Sequence, residues 1–231
     1  MQHNFMAVRE DNHPDCEQDR GASAASPRYR HFRVTRSLER LGLTVAMVAL
    51  FGAALNDANG GATVTTLHPD IDNTLVETTD GALSLGASIH IFSGRIGFHA
   101  GLPTLRRALL RFDIAGAIPE GAVIESATLM MYVQLTNAGP QPMTLHRCLA
   151  SWGEGTSDGF GGAGAPSTRG DATWLHRFWP DVPWENPGGD FDPEVSAEAV
   201  VGFIGPYEWT SETLAADVQA WLDDPDGNHG W

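Results

Sequence analysis

The chain is predicted to fold as an all-β, antiparallel β-sandwich with one short C-terminal helix. The main observation lies between Arg106 and Val133. Ala108, Leu110, Phe112 and Ile114 alternate with Arg107, Arg111 and Asp113. After a gap, Ala127, Leu129, Met131 and Val133 alternate with Ser126, Thr128 and Tyr132. Period-two alternation of this kind marks half-buried strands. Ile118-Pro119-Glu120-Gly121 between them has turn chemistry, because Pro presets φ and Gly accepts a conformation other residues avoid. The other observation is a single helical stripe near the end, against strand patterns and loops in the rest of the chain after residue 62.

The other strands follow in order. Residues 63–67 (TVTTL), 73–77 (NTLVE) and 87–92 (ASIHIF) precede the central pair. Residues 143–150 (MTLHRCLA) follow it, after the turn Asn137-Ala138-Gly139-Pro140. Residues 153–170 form a Gly-rich loop with little side chain to bury. Residues 171–177 return to extended structure, and 178–193 form a Pro- and Gly-studded loop. Short extended pieces are expected at 200–204 and 207–210. The helix is marked by Leu214, Val218, Trp221 and Leu222, at i, i+4, i+7 and i+8. Thr210 or Ser211 caps its start, and Asp224-Pro225 ends it. It is expected to lie across an open end or edge of the sandwich, with its apolar stripe in the core.

The front end reads as an address. Residues 1–36 are polar and aperiodic, a disordered leader by composition. An Arg cluster and the apolar run Leu41–Leu55 then have the pattern of an export signal, spanning 37–61. The run is short for a membrane span, which needs about 20 residues. Cleavage is expected after Ala58 or Ala62, with a retained N-terminal anchor as the competing reading. The body, 62–231, is then one sandwich domain of a secreted or cell-surface protein.

Charge excludes some partners. The chain has no Lys, and seven of its 14 Arg precede residue 41. From residue 59 onward, 22 carboxylates face seven Arg. Such a surface repels nucleic acid and anionic membranes. The only contact expected with a membrane is through an uncleaved leader. Of two cysteines, Cys16 precedes the export signal, so the processed body holds Cys148 alone and no disulfide; a buried, inert thiol is expected.

No nucleophile elbow, zinc-ligand pair or phosphate loop is present, so no enzyme activity is expected. Asp70, Asp72 and Asn73 are the first candidate cluster for a structural calcium ion, which takes several oxygens on a tight turn. The run Asp223, Asp224, Asp226 and Asn228 lacks the Gly and Glu of a calcium loop. The competing reading for both is solvated turn acids. Arg107 and Arg111 share a strand face, where a grip on an acidic sugar competes with pairing to Asp113 or Glu125. All seven Trp fall between 152 and 231. Flat aromatic faces bordered by polar groups suit sugar rings. The candidate ligand site is therefore the loop holding His176, Phe178, Trp179, Trp184 and Asp190. Trp152, Trp174, Trp209 and Trp221 are expected to pack inside.

Several blocks, taken in order, carry a family resemblance: DNTLVE (72–77), RRALLRFDI (106–114), IPEGA (118–122), LHR (145–147), WGEGT (152–156), GDATW (170–174), GGDF (188–191), DVQAWL (217–222) and NHGW (228–231). Over 62–231 the chain resembles the bacterial secreted DNRLRE domain family, related to a carbohydrate-binding module family of alginate type. The resemblance implies a jelly-roll-like sandwich, export, and a binding or surface role without catalysis. Members run on through one or two further strands after the Gly-Trp pair. A missing C-terminal strand is therefore expected here, with lower stability and self-association through the incomplete sheet edge. The expected partner is a polysaccharide or cell-envelope glycan. The alternatives are a structural or adhesive surface protein without a small ligand and, behind it, a polysaccharide-active enzyme.

Overall fold

A computed structural model describes residues 4–8, 46–52, 62–95 and 105–231. The fold is all-β and sandwich-like, with one substantial helix. The strands are β1 (Asn4–Val8), β2 (Ala46–Gly52), β3 (Thr63–Leu67), β4 (Ile71–Val76), β5 (Leu83–Ser84), β6 (His90–Arg95) and β7 (Leu105–Arg111). After the single-turn α1 (Ile114–Ala117) come β8 (Val123–Thr136), β9 (Gln141–Leu145), β10 (Ala165–Pro166), β11 (His176–Phe178) and β12 (Val182–Pro183). β13 (Ala197–Val201), β14 (Gly205–Thr210) and α2 (Glu212–Asp223) follow, and a 3-10 turn (Pro225–Gly227) leads to Trp231. β1 and β2 come from the stretch read above as leader and export signal. The rest of that stretch lies outside the described residues.

The 14-residue β8 is the spine of the main sheet. β14 pairs with one edge of it, antiparallel, from Gly205 opposite Val133 to Thr210 opposite Thr128. Along the other edge lie β2, antiparallel, and then β1, parallel. β3 flanks β2, while β6, β7 and β4 extend the sheet beyond β1. β9 and β13 form a separate antiparallel pair, with Ala197 opposite Leu145.

The alternation in β8 is realised. Ala127, Leu129, Met131 and Val133 are buried, in one cluster with Leu110, Phe112, Ile114 and Trp209. α2 closes this core with Leu214, Val218, Trp221 and Leu222. Ser211 caps the helix, its hydroxyl accepting from Leu214 N at 2.9 Å. Gln219 reaches back to β8, accepting from Ile124 N and donating to the Ala122 carbonyl.

The first central strand departs from the expectation in two ways. It ends at Arg111, and Asp113 then caps α1 by accepting from Gly116 N. Its second face is also not left to solvent. Leu109 and Leu75 of β4 belong to a second core with Cys148, Trp152, Ala172, Trp174 and Trp184. The loops between 152 and 190 roof this face, so β4 is buried along nearly its whole length. A strand covered on both sides loses the polar-out half of its pattern.

Trp231 joins the last stretch to β7. Its N–H donates to the Leu110 carbonyl at 2.9 Å, and its carbonyl accepts from Leu110 N at 2.8 Å. The ring packs edge-on to Trp221 and Phe112, and Nε1 donates to the buried Asp217. Asp217 in turn faces Arg147 at 3.4 Å. Gly230 permits the approach: φ is +75°, and a Cβ there would sit 2.1 Å from the Leu110 carbonyl. Trp231→Ala should cost about 3–5 kcal/mol, as for other buried aromatics. Urea denaturation checks this; a loss below about 1 kcal/mol would mean the ring is not part of the main core.

Candidate functional site

The roof over the second core depends on close backbone approach. Gly86, Gly153 and Gly155 each stand where a Cβ would collide, at 1.6 Å from the Glu154 carbonyl, 1.9 Å from the Gly170 carbonyl and 1.6 Å from the Asp171 carboxylate. Asp171, fully buried, holds the Gly-rich loop by accepting from Thr168 N at 2.5 Å and from Thr168 Oγ1 and Ser157 N. Arg106, also buried, donates from Nε to the Gly162 carbonyl at 2.6 Å. Burial pushes its guanidinium down to about 10.

The aromatic residues proposed from sequence do not form one surface. Trp184 is only 5% exposed, and its indole N–H donates to the Thr173 carbonyl at 2.9 Å. It is part of the second core and presents no open ring face, which corrects the expectation for this residue. Trp152, Trp174, Trp209 and Trp221 are buried as expected. Phe178 and Trp179 remain half-buried beside the hairpin of β11 and β12. Arg177 lies 5.5 Å over the Phe178 ring and donates to Ser151. His176 stands at the start of the hairpin, its Nδ1 3.3 Å from Thr173 Oγ1. Asp190 accepts from Glu185 N at 2.9 Å and Asn186 N at 2.8 Å, closing its own loop.

A cleft of about 440 Å³ opens elsewhere, between β7 and β9. Its apolar lining includes Leu110, Met131, Leu145, Val201, Trp209 and Trp231; its polar lining includes Arg95, Arg107, Gln141, Thr144, His146 and Asp190. Asp190 is the one residue of the proposed ligand set that lines it. Clefts of a few hundred Å³ with an apolar floor and a few placed polar groups are the usual form of small-molecule sites.

The polar residues are held from behind. Arg107 donates to the Gly188 carbonyl at 2.6 Å and stacks on Trp174 and Phe191, 5.2 and 4.8 Å from the ring centroids. Gly188 makes room: a Cβ there would meet Arg107 at 2.7 Å and Trp174 at 2.9 Å. Burial shifts the Arg107 guanidinium downward, with Glu77 opposing. His146 Nδ1 donates to the Asp192 carbonyl at 2.8 Å, which leaves Nε2 to accept from Thr144 Oγ1 at 3.0 Å. Cys148 is buried in the wall, and burial with the nearby Asp190 pushes its thiol up to about 12. Arg147 meets Asp192 and Asp217, while Arg111 pairs with Asp70. The partners expected for Arg107 and Arg111, Asp113 or Glu125, are therefore replaced by ring faces and Asp70.

The calcium candidate also rearranges. Asn73 is fully buried, and its Oδ1 accepts from Thr74 N, Ser84 Oγ and Leu85 N. Three donors leave that oxygen no lone pair for an ion. Its Nδ2 donates to the carbonyls of Gly153, Glu154 and Ala172. Asp70 is engaged two-pronged with Arg111. Asp72, 2% exposed, lies by Glu154, whose Oε1 accepts from Asp72 N at 3.3 Å. Among the described residues, no three His, Cys, Asp or Glu are grouped to hold a metal ion. Of the trio proposed from sequence, Asn73 has its side-chain oxygen engaged by three protein donors and Asp70 is paired with Arg111.

Burial, then the charge of Glu154, raises Asp72 from 3.8 to about 8. Burial raises Glu154 too. Comparisons with protein-family models, with characterised proteins and with solved structures found no match to the chain.

Asp72 makes stability pH-dependent. Below pH 3.8 the carboxyl is protonated in the folded and unfolded chain alike, and the group carries no charge penalty. As pH rises from there to about 8, the unfolded chain releases the proton first, and the fold loses stability on this group's account. Asp72→Asn should therefore stabilise the protein at pH 8, on the order of 5 kcal/mol, and change little at pH 4. Thermal unfolding at both pH values checks this; an equal effect at each would exclude titration of Asp72 as the cause.

Proposed function

We propose that the protein is an exported, non-catalytic sugar-binding module whose ligand sits in the cleft between β7 and β9. The carrying observation is the composition of that cleft. Its floor is apolar, the exposed ring of Phe191 lies in its lining, and a guanidinium, an amide, an imidazole, a hydroxyl and a carboxylate lie around it. A pyranose ring has the matching amphipathy, with apolar C–H faces and a belt of hydroxyls. The rigid backing of Arg107 and His146 supports the reading, because side chains fixed before binding lose little entropy on binding. The resemblance to a secreted carbohydrate-binding family supports the same reading from sequence.

Trp209 and Trp231 line the cleft, so intrinsic fluorescence reports its occupancy. Titration with alginate oligomers, neutral glucan oligomers and chitin oligomers should give a saturable change with one class. The exposed Gln141→Ala should weaken that binding about tenfold, the scale of one lost hydrogen bond to a bound ligand. Trp179→Ala should leave it intact. Loss of binding in Trp179→Ala alone would move the site to the β11–β12 hairpin. No saturable change with any class would leave the surface-protein alternative, and release of reducing ends would identify an enzyme.

A further inference from the structure

The main sheet has a gap of one strand's width. Among the described residues, β3 and β6 are joined to β8 through β2 and β1 and have no ladder of their own with it. Across each intervening strand, the far wall stands two strand spacings from β8, about 9.5 Å. The gap follows β8 from Val123 to Thr136, on the edge opposite β14.

Two pieces of the leader fill it, and they share little. β2 (AMVALFG) runs antiparallel to β8, from Ala46 opposite Met130 to Gly52 opposite Val123. β1 (NFMAV) runs parallel to β8, with Phe5 opposite Val133. The two segments differ in direction and sequence. They have in common an extended backbone, the absence of charge and mostly apolar residues. Neither reaches its sheet partners through a tight turn: 37 residues separate β1 from β2, and ten separate β2 from β3. An edge filled from both directions by unrelated segments selects for backbone pairing and lack of charge.

We propose that this edge of β8 is a strand acceptor, whose occupant is an extended, uncharged polypeptide segment of about seven residues, apolar at alternate positions. In the full chain, the leader strands occupy it. A processed body without them takes such a segment from another polypeptide. The inner face of β8 supplies the need: Ala127, Leu129, Met131 and Val133 belong to the main core and lie directly beside the gap. An unfilled gap would expose both their flanks and a row of backbone donors and acceptors.

The full chain carrying Val48→Pro with Ala49→Pro tests this, because two successive prolines block pairing on both edges of β2. The probe is a fluorescein-labelled peptide of residues 46–52 with two arginines appended for solubility. Polarisation should show binding to the proline variant at least about tenfold tighter than to the unaltered chain, whose gap is filled. The same peptide with Asp in place of Met47 and Ala49, the positions opposite Leu129 and Ala127, should not bind. Equal binding by both chains would overturn the proposal. A variant that forms a discrete dimer in sedimentation and ignores the peptide would assign the edge to a second copy instead. Hydrogen exchange on the unaltered chain decides the matter if the variant does not fold. Amides of β2 and β3 should then exchange at one shared rate, and excess peptide should change that rate. Unprotected amides in β3, or a rate indifferent to peptide, would overturn it.

Discussion

Six hydrogen bonds on one buried amide tie β4 to the loops that roof it. Asn73 sits in the middle of β4, and its side chain bonds backbone or hydroxyl groups at residues 74, 84, 85, 153, 154 and 172. Those partners come from the sheet, from β5 and from two separate turns of the roof. A buried polar side chain is tolerated only when its groups are satisfied, and here each satisfied group also pins a loop. The glycines at 86, 153 and 155 belong to the same constraint, since each lets a backbone segment approach within collision distance of a Cβ. Without this hub the roof would keep its ties from Arg106 to Gly162 and from Arg107 to Gly188 but lose its hold on the middle of β4.

The second core explains where the sequence was legible and where it was not. β8 and α2 each bury a single face, so their periods of two and 3.6 survive in the residue pattern. The ends of α2 were narrowed to Thr210 or Ser211 and to Asp224-Pro225, because capping chemistry is local, and Ser211 is the one that caps. β4 and β7 bury both faces, and their pattern resolves only once the roof is known. Asp113 shows a further limit: in the pattern it continues a strand, yet its carboxylate is used to cap a one-turn helix. Nothing local distinguishes the two roles.

The site shows the same division. Trp184, in a loop rich in Pro and Gly, has a surface setting by composition and a core setting in the fold, because Thr173 supplies the acceptor its indole needs. The cleft between β7 and β9 combines residues from 95 to 231, spacings no motif would register. Gly188-Gly189 was the one available signal. Two adjacent glycines beside an acid and an aromatic mark a close approach, and Arg107 is what approaches. Asn73 was visible as a polar residue at a strand entrance but not as a residue whose every lone pair and proton is used.

Cys148 gives the molecule a built-in gauge. Its backbone bridges Phe191, its side chain belongs to the second core, and its proton is held to about pH 12. A sulfur in that state has neither the charge nor the access to attack an alkylating reagent near neutrality. Modification at this position therefore requires the wall between the cleft and the roof to part first. The speed at which the sulfur is captured measures how often that happens, and a molecule resting in the neighbouring cleft would slow it.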